Sequence, residues 1–179
     1  MNNIVINPKS RKNLREFAAL IRSTFGIKDT YIDVIKFLEI SMCCYFEKLN
    51  IEIVEDFCND HNKCGEFDLT NNTIRIKENV YELANLHDGR SRYDIMHECA
   101  HKLLSSIVNQ TFNRKVGKVK VYENPEWQAD CLAAELLMPY EIIKDKTAEE
   151  VMKMCGVSKK AAEYQLSKIR EEQNKCKEE

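Results

Sequence analysis

The sequence predicts an α+β domain in which a small antiparallel or mixed sheet lies beside two helices bearing polar side chains on shared faces. Three observations carry this prediction. Apolar residues recur at helical spacing near both ends of the chain. The strand-like stretches are few and short, around residues 51–54, 67–76 and 118–122. Two helical segments place His, Glu and Asp residues four apart. At 179 residues the chain is long enough to bury a real core in one domain.

In chain order, residues 9–25 set Leu14, Phe17, Ala18 and Ile21 on one helical face. Residues 31–49 do the same with Val34, Phe37, Leu38 and Met42, and Gly26 marks the break between the two helices. Ile51–Val54 reads as a short strand, and Phe67–Ile76 alternates about Asn71-Asn72 as a hairpin does. A helix is expected from Glu78 to about Leu86. Ile95, Met96, Cys99, Ala100, Leu103, Leu104, Ile107 and Val108 then describe a helix buried on most sides. Lys118–Tyr122 reads as another strand. Asn124 caps the next helix, Pro125 fits its first position, and Pro139 stops it after about Met138. Thr147 and Glu150 form a capping box for a helix that Gly156 closes. Ser158 caps the last helix, with Ala161, Ala162, Leu166 and Ile169 along it. The expected division is a domain over residues 1–146 and a helical hairpin over 147–179 packed on it.

The buried helix carries His97-Glu98-Cys99-Ala100-His101. Two histidines four apart share a helical face and can clasp one metal ion, and Glu98 then points toward water on that ion as a general base. On the Asn124-capped helix, Glu126 and Asp130 also share a face. Glu126 suits a third ligand. Asp130 suits the carboxylate that accepts the outer N–H of His97 or His101 and so fixes its tautomer. The reverse assignment, Asp130 as ligand with Glu126 in support, stays open on spacing. A His, His, Glu set is one of the hydrolytic zinc sets and also accepts Mn, Fe or Co. An oxyanion formed there needs a further donor, for which His87, Arg92, Tyr93 and Tyr122 are the candidates.

Composition narrows the partners. Charged residues make up 31 % of the chain yet nearly cancel to a formal −2, so no anionic polymer or membrane surface is favoured. From Thr147 onward seven basic residues face seven glutamates. Such a balance argues for packing or partner binding rather than a helix-turn-helix reading DNA. No apolar run is long enough to span a membrane, and MNNIVINPKSRKNLREF lacks a signal-peptide core, so a cytoplasmic protein is expected. In that setting the eight cysteines are expected as free thiols, with Cys58-His61-Cys64 a weak metal trap at most.

The stretches RSRYDIMHECAHKLL and PEWQADCLAAELLMP resemble the ImmA/IrrE family of zinc metallopeptidases, over roughly residues 60–140. The spacing of Glu126 and Asp130 resembles the gluzincin pattern, in which the Glu ligates and the Asp supports. Leu132 and Ala100 stand where the family usually has phenylalanine and glycine, which changes packing and not chemistry. The resemblance implies a zincin-like minimal metallopeptidase domain with Zn2+ on His97, His101 and Glu126, Glu98 as catalytic base and Asp130 behind the ligands. It also implies a phage or mobile-element setting and, as protein substrate, a helix-turn-helix transcriptional repressor. The alternative expectation is a metal-binding regulatory protein that sequesters a repressor or toxin without proteolysis.

Overall fold

Helix α1 (Arg11–Thr24) begins where the Ser10 hydroxyl accepts the Asn13 amide at 3.2 Å. It ends at Gly26, whose φ of +65° lets the Ile27 and Gly26 amides close back on the carbonyls of Arg22 and Ser23. A computed structural model describes residues 10–58, 60–108 and 124–178 of the chain. The strand expected over 118–122, with Tyr122, lies outside the described residues.

The second helical segment is shorter than its periodicity suggests. Asp33 caps it by accepting the Lys36 amide at 3.0 Å, three residues after the expected start. It then runs as α2 (Val34–Lys36), a π-helical turn (Phe37–Met42) and α3 (Cys43–Tyr45). It ends at Tyr45, four residues before the expected end; beyond it Phe46 is extended and Lys48 has φ +61°, which turns the chain toward the sheet.

The sheet is mixed. Strands β1 (Asn50–Val54), β2 (Gly65–Asp68) and β3 (Thr73–Lys77) lie in the order β1-β3-β2. β1 runs parallel to β3, and β2 pairs antiparallel with it through the hairpin that Asn71-Asn72 announces. Asp68 makes that turn by accepting the amides of Thr70 and Asn71, and Asn72 takes the left-handed conformation at φ +51°. Ile74 and Ile76 are fully buried under the helices, while the intervening Arg75 reaches Glu52 and Glu66 on the other face.

Helices α4 (Glu78–Asn85) and α5 (Gly89–Val108) follow, then α6 (Pro125–Leu137), α7 (Tyr140–Ile143), α8 (Ala148–Cys155) and α9 (Lys159–Glu178). Helix α6 is apolar around most of its circumference, with Ala129 and Cys131 through Leu137 all buried, so it forms the centre of the core. The capping box of Thr147 and Glu150 is made, and Gly156 closes α8. Among the described residues no helix is long and apolar enough to cross a membrane.

Three buried charged side chains stitch these elements together. Arg22 at the end of α1 donates to the Leu136 carbonyl at 2.7 Å, one of those that α6 cannot satisfy internally. Arg92 on α5 donates to the carbonyls of Ile32, Cys155 and Gly156, closing the end of α8 in the same way. Glu135 on α6 accepts both Nε and Nη2 of Arg15 at 3.3 Å and Nε2 of Gln165 at 3.1 Å, joining α1, α6 and α9. Burial pushes the Glu135 carboxyl upward, against the pull of Arg15 and Arg11. Glu135→Ala removes one of the two carboxylates that hold Arg15, leaving Glu172 at 2.8 Å, and should cost about 1–2 kcal/mol, seen as a melting temperature lower by about 2–8 °C. An unchanged melting temperature would show that the network does not hold the three helices.

Candidate metal centre

Helix α5 presents His97 and His101 one turn apart, and α6 presents Glu126 in its first turn, where the Asn124 side chain accepts the Glu126 amide at 2.9 Å. The side chains meet between the two helices. His97 Nε2 and His101 Nε2 are 3.0 Å apart, and Glu126 Oε2 lies 3.4 Å from the first and 3.5 Å from the second. Among the described residues these three are the group able to hold a metal ion. Asp130, one turn further along α6, takes the other side of His97, its Oδ1 2.9 Å from Nδ1.

The chemistry of the donor set fits a divalent ion. His97 Nδ1 faces Asp130, which leaves its Nε2 turned toward His101 Nε2 and Glu126 Oε2. Acceptors crowded this closely repel unless a cation lies between them. The separations fit as well, since tetrahedral ligands about 2.0–2.1 Å from an ion are about 3.3–3.4 Å from one another. His97 and His101 would hold the ion from α5 and Glu126 from α6.

Electrostatics separates the two histidines. Burial pulls His97 down, but the Asp130 hydrogen bond and the charges of Glu98, Asp130 and Glu126 outweigh it and leave its pKa raised. His101 is lowered, by burial first and by His97 next. Glu98 is only 8 % exposed, and burial pushes its carboxyl up to about 7. It sits against β2: a Cβ on Gly65 would lie 2.8 Å from Glu98 Cγ, closer than carbon atoms approach. The glycine is what allows strand and side chain to touch.

His97, Glu98 and Asp130 line a cleft of about 230 Å3 together with Cys64, Gly65, Tyr93 and Asp94. Of the oxyanion donors named from sequence that lie among the described residues, only Tyr93 reaches it, and its hydroxyl donates to the Asp130 backbone carbonyl at 2.9 Å. Arg92 turns inward to the carbonyls described above. His87 pairs through Nδ1 with the Tyr31 hydroxyl at 2.7 Å and does not line the cleft. Tyr122 lies outside the described residues. The Cys58-His61-Cys64 string is not drawn together either: His61 pairs with Asp56, and the Cys64 thiol donates to the Asn62 carbonyl at 3.8 Å. Gly65, Cys64 and Asp94 are the cleft residues that spacing alone misses. Gly65 carried one available signal, a glycine opening an alternating strand.

Residues 46–167 match the family model described as the IrrE N-terminal-like domain, a peptidase family. No curated protein matches the chain. For protein purified without chelator we expect about one equivalent of divalent metal by elemental analysis, lost in His97→Ala and in Glu126→Ala. Asp130→Ala should weaken metal binding by about 10–100-fold without abolishing it. Metal lost in Asp130→Ala but kept in Glu126→Ala would reverse the two roles.

Proposed function

The chain belongs to the IrrE N-terminal-like domain family of peptidases, and on that premise we propose that it is a zinc-dependent endopeptidase with a zincin-like fold. The observation that carries this reading is the convergence of His97, His101 and Glu126 within 3.5 Å of one another, from two packed helices, beside the buried Glu98. The family and this cluster together support metallopeptidase activity in general.

Zinc bound there would supply Lewis acidity, making water a nucleophile near neutral pH and polarising the scissile carbonyl. The residues of the chain do the rest. Glu98, beside His97 and nearly buried, takes the proton of the attacking water and passes it to the leaving amine. Asp130 holds His97 in the tautomer that presents Nε2 inward. Tyr93 ties α5 to the backbone of Asp130, holding that carboxylate at its distance from His97. Gly65 lets β2 close over Glu98 and shed its water.

The substrate we propose is a folded regulatory protein, a helix-turn-helix repressor of a phage or mobile element, cut in the cytoplasm. The resemblance supports that choice, and the chain's near-neutral charge, formal −2, suits a protein substrate better than nucleic acid.

Glu98→Gln should keep its metal and lose about 10²–10⁴-fold in cleavage rate, followed as fragments of the partner on a gel. Full activity in a metal-loaded Glu98→Gln protein would end the assignment of Glu98. Gly65→Ala should also keep metal and fold while cutting the rate by up to about 100-fold, because the new Cβ displaces Glu98 and misplacing a reacting group by about 1 Å costs that much.

A further inference from the structure

The cleft beside the ligands holds one carboxylate that the proposed chemistry does not use. Asp94 stands on α5 one turn before Glu98, on the same face of the helix, and lines the cleft with Cys64, Gly65 and Tyr93. The other polar groups there are committed: His97 and Glu98 to the reaction, Asp130 to His97, and the Tyr93 proton to a backbone carbonyl. The Cys64 thiol lies near Asp94 but donates to the Asn62 carbonyl at 3.8 Å, and a thiol is a weak donor.

Cations nearby do not satisfy it. Arg90, one turn back on α5, is exposed and, among the described residues, forms no ion pair with Asp94. Lys63 on the β2 side is paired with Glu66. Asp94 is half-buried, and that burial raises its carboxyl above the usual aspartate range against the pull of Arg90 and His97.

We propose that the Asp94 side of the cleft is a subsite for a basic side chain, lysine or arginine, adjacent to the scissile bond of the substrate. This rests on the peptidase reading and adds a substrate class to it. At about 230 Å3 the cleft is smaller than a drug-sized pocket and suits one long side chain. A guanidinium or ammonium entering it gains a charge-assisted hydrogen bond to Asp94. An apolar side chain would cover the carboxylate and leave it unpaired, which costs binding.

The test compares lysine hydroxamate with norleucine hydroxamate, which differ in the terminal ammonium and share a metal-binding head. Binding to zinc-loaded protein is measured by calorimetry for wild type, Asp94→Asn and Asp94→Glu. Wild type should bind the lysine compound about tenfold more tightly or better. The preference should vanish in Asp94→Asn with norleucine affinity unchanged, and persist in Asp94→Glu. Equal affinities in wild type would overturn the subsite, as would a preference that survives Asp94→Asn. Binding of neither compound to protein that carries its zinc would overturn the subsite and leave the metal centre standing. The expected preference in a protein that cuts no peptide would leave the subsite standing and remove the peptidase reading alone.

Discussion

Three electron-rich atoms from two helices meet within 3.5 Å in a half-buried space, and most of the fold is arranged to hold them there. Left to themselves, two imidazoles and a carboxylate in that arrangement would swing apart into water. They are kept together by the packing of α5 on α6. Helix α5 buries Ile95, Met96, Cys99 and Ala100 around the histidines, and α6 buries Ala129 and Cys131 through Leu137 directly after its ligand. Small residues at these contacts let the two helices approach closely enough for side chains of ordinary length to meet.

Buried helices create a second constraint, because their terminal carbonyls have no water. Arg22 and Arg92 answer it by reaching the ends of α6 and α8. Burial lowers both guanidinium pKa values, yet each stays charged and makes hydrogen bonds that a neutral side chain could not. Arg92, which motif reasoning offered as an oxyanion donor, is thus spent on the scaffold. The same accounting explains Glu135, a charge five positions after Asp130 that faces α1 and α9 instead of the cleft.

The periodic parts of this structure were legible in the sequence. Caps at Asn124 and Thr147, the stop at Pro139 and the hairpin at Asn71-Asn72 act through local chemistry, which a sequence displays. So does the one-turn spacing of His97 with His101 and of Glu126 with Asp130. Less legible was whatever depends on distant contacts. The parallel pairing of β1 with β3 leaves no trace in a five-residue strand. Asp33 overrode a helical pattern that began at residue 31, because one side-chain cap outweighs two residues of periodicity. Which histidine faces Asp130, and that Arg92 and His87 turn away from the cleft, are results of tertiary packing.

Ligation and proton transfer rest on different parts of the fold. The ligands and Asp130 belong to α5 and α6 alone, so the α5–α6 contact governs whether an ion is held. Glu98 belongs to α5 but owes its burial to β2, through Gly65 and the Phe67 backbone. Strand β2 in turn is held to the sheet by pairing with β3, whose Ile74 and Ile76 are locked under the helices. A shift of β2 would therefore rehydrate Glu98, return its carboxyl toward the ordinary glutamate range and leave the three ligand atoms where they are. The sheet is small because this is the work it does: it closes one wall of the cleft over a carboxylate that must stay dry.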